Sequence, residues 1–134
     1  MKLRIKGNSL RVRLTRTEVL RLAEGGSVES ETDFGNQAFR YGVIARSNEP
    51  AISAFCESNS ILVRVPASAA AKWADGNEIG LYGEQPTSTG DVLTIAVEKD
   101  FRCLDPRRDE DESDHFDNPT AVQGHHPACA HESD

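Results

Sequence analysis

The sequence has no long hydrophobic run, few aromatic residues and three cysteines in 134 residues. A helix that spans a membrane needs ~20 mostly apolar residues, and no stretch approaches that length. The basic opening from Met1 to Lys6 runs into polar sequence rather than into the apolar region of a signal peptide. Cys56, Cys103 and Cys129 are odd in number and irregularly spaced, which argues against a disulfide framework. These absences predict a soluble, cytoplasmic protein.

The sequence also lacks the motifs that identify common enzyme classes. It contains no nucleophile elbow, phosphate-binding loop, dinucleotide fingerprint or metalloprotease helix. Aromatic residues make up 6% of the chain and are not interleaved with basic ones, which disfavours nucleic acid as a partner. We therefore expect a binding or regulatory protein rather than an enzyme, with neither a nucleic-acid nor a membrane partner.

Charge is distributed unevenly along the chain. Residues 1–99 carry 12 basic and 12 acidic side chains, whereas residues 100–134 carry 3 and 10, so the whole net charge of −7 lies at the C-terminal end. A segment of low hydrophobicity and high net charge buries too little apolar surface to offset the entropy lost on ordering. We expect a compact domain over residues 1–104 and an acidic, disordered tail over residues 105–134.

An internal repeat organises the expected domain. Residues 8–14 match residues 59–65 without gaps when the sequence is shifted by 51 positions, and the match extends to residue 28 with six of 21 pairs identical. Self-similarity at a fixed spacing is typical of one structural unit used twice. We place the two repeats at about residues 1–48 and 52–99.

Each repeat has the pattern of two strands, a helix and two further strands. Gly7-Asn8 predicts a tight hairpin turn, since glycine accepts a positive φ angle. Thr15 followed three residues later by Glu18 predicts a capping box at the start of the first helix, and Pro66 suits the start of the second. The predicted fold is α+β, a duplicated ββαββ unit with about eight mostly antiparallel strands and two short helices. A groove between the halves would be a natural ligand site.

Three stretches resemble a known group of proteins. The opening Met1–Arg11, the stretch Glu98–Leu104, and the acidic run at residues 110–114 together with residues 116–119 are similar to segments of small uncharacterised bacterial proteins. The resemblance implies a natural domain with an attached acidic segment over most of residues 1–119. It implies no activity and no site residues, and the histidine-rich end lies beyond it.

Four cations alternate with apolar residues in the opening hairpin. Because successive side chains of a strand point to opposite faces, Arg4, Lys6, Arg11 and Arg13 are expected on one sheet face. Such a face would bind an anionic or small-molecule ligand, or a protein partner. Arg40 would join it if the fourth strand lies in the same sheet.

An alternative for the same cations is ordinary pairing with acids. The third strand presents Glu29, Glu31 and Asp33 on its polar side, and opposite charges across strands form solvated pairs. The acidic tail at residues 105–117 is a further candidate partner, held at high effective concentration by its attachment.

A second candidate site lies near the C-terminus. Imidazole and thiolate are the ligands that Zn²⁺ and copper prefer. The candidate metal ligands are Cys103, His125, His126, Cys129 and His131. Their spacing matches no standard zinc motif. The alternative interpretation, a tail that carries histidines without binding metal, therefore stays open.

Two single residues are expected in the core. Cys56 alternates with Ala54 and Ile52 on a strand, which predicts a small buried side chain rather than a nucleophile. Trp73 lies at an apolar position of the second helix and is expected to pack inside.

Two functions therefore stay open. The first is a binding or regulatory protein whose domain holds its ligand, and the second is a metal-binding protein whose tail captures zinc or copper. Removing residues 120–134 would leave the first activity intact and abolish the second. An exposed edge strand in either half would also permit a homodimer.

Overall fold

The structure is a computed structural model, and it describes residues 1–101 and 113–117. The strands are β1 Lys2–Lys6, β2 Ser9–Leu14, β3 Ser27–Asp33, β4 Ala38–Arg46, β5 Ser53–Glu57, β6 Ser60–Pro66, β7 Gly80–Pro86 and β8 Val92–Lys99. The helices are α1 Arg16–Ala23 and α2 Ala67–Asp75. This order, ββαββ followed by ββαββ, confirms the predicted α+β fold. With eight and nine residues, neither helix of the described part is long enough to cross a membrane.

The turn at Gly7 and the capping box at Thr15 form where the sequence predicts them. Gly7 adopts a φ of 54° in the turn between β1 and β2, a conformation that costs glycine little. The Thr15 side chain accepts a hydrogen bond from the backbone N–H of Glu18, while the Glu18 carboxylate accepts one from the N–H of Thr15. This capping box satisfies backbone donors that the first helical turn would otherwise leave unpaired. Pro66 is the N-cap of α2, one residue before the helix begins.

The eight strands form two sheets that exchange hairpins between the repeats. Sheet A has the strand order β1-β2-β8-β7, and sheet B has the order β3-β4-β6-β5. Each sheet therefore combines the first hairpin of one repeat with the second hairpin of the other. The central pairs β2–β8 and β4–β6 are parallel, and the four outer pairs are antiparallel. The prediction of mostly antiparallel strands is confirmed.

One hydrophobic core lies between the two sheets and the helices. Leu14 and Val97 enter it from sheet A, Val43 and Val63 enter it from sheet B, and all four are fully buried. Trp73 of α2 is fully buried in the same cluster, as predicted. Burying a large side chain contributes ~1.5–3 kcal/mol, so these positions account for much of the stability.

Cys56 does not belong to this core, and the prediction that it is buried is wrong. Ala54, two residues earlier on the same face of β5, is buried, whereas Cys56 is exposed as a free thiol. Cys56 lies opposite Ile61, which is itself only partly buried. The strand therefore extends past the edge of the core, which strand alternation alone does not reveal.

A glutamine side chain joins the two sheets where β5 and β7 meet. The Gln85 amide oxygen accepts a hydrogen bond from the Ala54 N–H at 2.8 Å, and its amide nitrogen donates to the Ala54 carbonyl at 2.9 Å. Nearby, a Cβ atom at Gly83 would collide with Cγ2 of Ile52. Glycine therefore allows β7 to approach sheet B closely enough for the Gln85 bonds to form.

Part of the predicted tail packs on the domain. The Asp114 carbonyl accepts a hydrogen bond from Arg16 N–H at 2.9 Å, and the Thr17 hydroxyl donates to the Asp114 carboxylate at 3.0 Å. Hydrogen bonds from Thr15 and Thr17 lower the pKa of Asp114. A carboxylate at the first turn of a helix is favoured by the helix dipole. Residues 113–117 thus contact the start of α1, and the boundary at residue 104 stays a prediction.

The same segment is anchored next to the first strand. Phe116 N–H donates to the Asp100 carbonyl at 2.9 Å, and the Phe116 ring lies 5.8 Å from that of Phe101. Oδ2 of Asp100 lies 3.4 Å from Nε2 of His115 and 3.6 Å from Nζ of Lys2. The segment therefore docks beside the Lys2 end of sheet A.

Candidate functional site

The outer face of sheet A, away from the core, carries three rows of side chains that cross all four strands. The register of the pairs places neighbours side by side on β1, β2, β8 and β7. The rows are Lys2–Arg13–Glu98–Gly80, Arg4–Arg11–Ala96–Tyr82 and Lys6–Ser9–Thr94–Glu84. All four cations named from the sequence lie on this face, because alternation on a strand sends the apolar residues of the hairpin to the core.

Like charges face each other twice in the first hairpin. Arg4 lies directly opposite Arg11, and Lys2 lies directly opposite Arg13. Like charges at directly opposed positions destabilise a strand pair, so local pairing alone does not favour this arrangement. Glu98 offsets part of the cost, because its Oε1 lies 3.3 Å from Nε of Arg11 and 3.6 Å from Nε of Arg13. Among the side chains of the three rows, cations outnumber carboxylates.

Glu98 also fixes the orientation of Tyr82. The Tyr82 hydroxyl donates a hydrogen bond of 2.8 Å to Oε2 of Glu98. The phenol lies over Gly80, where an added Cβ would approach the Tyr82 oxygen to 3.0 Å and Cγ of Glu98 to 2.8 Å. Although the residue is 60% exposed, its hydroxyl oxygen contacts both Gly80 and Glu98. Burial of the phenol, the hydrogen bond to Glu98 and the negative charge of Glu98 raise the pKa of Tyr82 to about 12.

A hollow of about 540 Å³ opens on this face across the junction of the two repeats. Its cationic wall comes from β1 and β2, its floor includes Ala96 of β8, and its far wall is Tyr82 and Glu84 of β7. The volume lies within the range of ~300–1,000 Å³ common for small-molecule sites. A smaller recess of about 210 Å³, lined by Lys2, Leu3, Arg4, Arg11 and Arg13, adjoins it and shares Arg4 and Arg11. The groove expected between the halves therefore lies on the outside of one sheet.

Sheet B serves as an internal comparison, because it is built from the corresponding hairpins of the opposite repeats. Its central outer row is Phe55–Leu62–Gly42–Glu29, so an aromatic and an aliphatic residue replace the opposed arginines of sheet A. The guanidinium of Arg64 lies 4.1 Å from the centre of the Phe55 ring and covers it. The concentration of cations is therefore particular to sheet A rather than a property of the repeated unit.

The predicted pairing of the cations with the acids of the third strand is wrong. Glu29, Glu31 and Asp33 belong to β3, which lies in sheet B, whereas the cationic hairpin lies in sheet A. Arg40 is likewise in sheet B, where its Nε donates to Glu31 at 2.7 Å. The hydrogen bond and the charge of Glu31 raise the pKa of Arg40. The hairpin exchange instead places Glu98 beside Arg11 and Arg13, with Glu84 on the opposite wall of the hollow.

The predicted metal ligands lie outside the described residues. These are Cys103, His125, His126, Cys129 and His131. Within residues 1–101 and 113–117, no group of three potential metal-ligating side chains comes together. Metal binding by the tail therefore stays a prediction from the sequence.

Sequence reasoning missed the half of the site that β7 and β8 contribute. Tyr82, Glu84, Thr94 and Glu98 are far along the chain from the opening hairpin, and none carries a motif. The period-two alternation of β8 does predict that Thr94, Ala96 and Glu98 share a face. It does not predict that this face continues that of β2, because strand pairing is a long-range property.

Comparison with known proteins supports one family assignment. The family model described as a family of unknown function, DUF7009, matches residues 1–120. The match includes both repeats, the hollow and the docked segment, and it ends before His125. No curated protein and no solved structure matches the chain. The chain therefore belongs to DUF7009, a family of unknown function.

Proposed function

We propose that the protein binds a small anionic ligand in the hollow on the outer face of sheet A. The observation that carries this proposal is the pair of opposed arginines, Arg4 and Arg11, at the cationic wall of that hollow. An anion placed between two guanidinium groups is attracted to both of them. Planar guanidinium groups also offer paired donors that match carboxylate and phosphate oxygens.

The position of Glu98 supports reversible binding rather than a permanent charge cluster. Arg11 and Arg13 share one carboxylate oxygen, at 3.3 Å and 3.6 Å. An anion in the hollow would add negative charge beside Arg11, which already shares the Glu98 carboxylate with Arg13. Thr94 and Ser9 lie in the next row of the hollow, where their hydroxyl groups add neutral hydrogen-bonding capacity.

The test is a titration of ¹⁵N-labelled protein with inorganic phosphate, monitored by amide chemical shifts. Arg4→Gln and Arg11→Gln are each expected to weaken binding about tenfold or more, because each removes a charge-assisted hydrogen bond. Arg40→Gln is the matched control, since it removes an exposed arginine from the outer face of sheet B. Equal weakening by all three variants would show a general effect of net charge and would contradict the proposal.

We propose further that the protein is cytoplasmic and of bacterial origin, as expected from the sequence. A phosphorylated or carboxylated metabolite is an ordinary cytoplasmic ligand. A protein partner presenting an acidic surface would use the same cations, and competition between such a partner and phosphate would reveal it. The proposed site requires no nucleic acid, membrane or second copy of the chain.

Metal capture by the C-terminal end is the alternative. Four histidines and three cysteines occur in the chain, and all the histidines lie from residue 115 onwards. The family match ends at residue 120, so His125 to His131 lie beyond the part shared with the family. Zinc titration of the full chain beside a truncation ending at Asn118 tests this alternative. Stoichiometric zinc that disappears with the truncation would favour it, and the loss of weak binding only would not.

A further inference from the structure

We infer that the ligand is an anion carried on a flat aromatic or heterocyclic body, which lies on Ala96 against the ring of Tyr82. This inference rests on the proposed anion site and specifies its ligand class. The central row Arg4–Arg11–Ala96–Tyr82 passes from two cations, across the smallest side chain of the row, to an aromatic ring. A ligand that uses the whole row has an anionic group at one end and a ring at the other.

The floor of the hollow suits a flat group. Ala96 has a methyl side chain, so the surface above it is low between Arg11 on one side and Tyr82 on the other. Neighbouring strands are ~4.8 Å apart, so Arg11 and Tyr82 stand on strands ~10 Å from each other. A single ring with one attached anionic group spans that distance. Inorganic phosphate alone would contact the cationic wall and leave the Tyr82 ring exposed to water.

Tyr82 is held ready for such a contact. Its hydroxyl is hydrogen-bonded to Glu98 at 2.8 Å and lies over Gly80, which leaves room for it. A ring fixed before binding loses little rotamer entropy when a ligand packs on it. With 60% of the residue exposed, the ring presents a large aromatic surface that the core does not use. Aromatic pairs contribute beyond the area that they bury.

The acceptors around the ring position add a further preference. Glu84 shares the wall with Tyr82, and the Tyr82 oxygen already donates its hydrogen to Glu98. A ligand ring therefore meets the Glu84 carboxylate, which accepts hydrogen bonds. Ring substituents with N–H or O–H groups suit this end of the hollow, while the anionic group suits the other.

The outer face of sheet B lacks the same combination. Glu29 occupies the position that corresponds to Tyr82, and Leu62 occupies the position that corresponds to Arg11. The aromatic residue of that row, Phe55, is covered by Arg64. An aromatic anion is therefore expected to choose sheet A.

The test compares phenyl phosphate with methyl phosphate, two monoesters of equal charge, by amide shift titrations of the full chain. Wild-type protein is expected to prefer phenyl phosphate by about threefold to tenfold, the range for a single aromatic contact. Tyr82→Leu should bring that ratio close to one, because the ring on which the phenyl group packs is removed. Phe55→Leu, which removes an exposed aromatic residue from sheet B, should leave the ratio unchanged.

The outcomes separate the two proposals. Equal affinity for the two esters in the wild type, with Arg4→Gln still weakening both, would overturn the aromatic-ligand inference and leave the anion site standing. A preference for phenyl phosphate that survives Tyr82→Leu would overturn the inference as well. Failure of both esters to bind would overturn the anion site and the inference together.

Discussion

Replacing Glu98 with glutamine is expected to tighten anion binding. The substitution keeps the shape of the side chain and an oxygen that can accept from Tyr82, but it removes the negative charge beside Arg11 and Arg13. An anion bound at the Arg4–Arg11 row lies one row away from Glu98, and two residues along a strand rise ~6.6 Å. At that separation between Glu98 and the ligand charge, removing their repulsion is worth ~0.6 kcal/mol in water and ~1.3 kcal/mol at an effective dielectric constant of ~40. The affinity should rise about threefold to eightfold per unit of ligand charge.

The assay is a titration with methyl phosphate at two ionic strengths, with unfolding in urea as a check on folding. The gain should shrink as salt rises, because the hollow is open to solvent and its charges are screened. Glu31→Gln is the control, since Glu31 is an exposed, arginine-paired carboxylate on the outer face of sheet B. Weaker binding by the Glu98 variant, with the fold intact, would show that Glu98 helps to orient the arginines for the ligand. That result would refute the electrostatic reasoning.

Three further predictions concern stability. Gln85→Ala should lower the free energy of unfolding by ~2 kcal/mol in urea melts, because the N–H and the carbonyl of Ala54 each lose a hydrogen bond. Gly83→Ala should cost ~1–3 kcal/mol, since the new Cβ meets Ile52; a neutral result would mean that β7 moves freely. The lowered pKa of Asp114 makes its ionised form a stabilising group above pH 3.8 whose contribution disappears as the pH falls through the folded-state pKa. Asp114→Asn should therefore destabilise the protein at pH 7, and this cost should shrink as the pH is lowered below 3.8; a cost that does not change with pH would contradict the assignment.

The element order could be predicted because the signals that set it are local. The capping box involves Thr15 and Glu18, which are three residues apart, and the first turn depends on the φ angle of Gly7 alone. Alternation within the first hairpin placed Arg4 and Arg11 on one face for the same reason. Each of these properties depends on a few neighbouring residues, and a single sequence contains them.

The partners of the strands could not be predicted in the same way. The exchange of hairpins pairs β2 with β8 rather than with a strand of its own repeat, and Arg11 thereby meets Ala96, 85 positions away. Consequently the neighbours expected for the cations were the wrong ones. Cys56 shows a related limit, because alternation indicates a face but not where the core ends. Tyr82 and Glu98 gain their roles from the same long-range pairing.

In the sequence, the four strands of sheet B lie between the two pairs of strands that form sheet A, and this order has a consequence for folding. All four strands of sheet B fall within residues 27–66, whereas sheet A requires residues 2–14 together with residues 80–99. Contacts between distant residues cost more loop-closure entropy and form later. During synthesis, sheet B can therefore assemble while the β1–β2 hairpin of sheet A still lacks β8. A chain cut before residue 92 would retain the cationic hairpin and the residues of β7 but would lose β8, which forms the floor of the hollow and joins β7 to β2. Ligand binding would therefore report that the two ends of the domain have met.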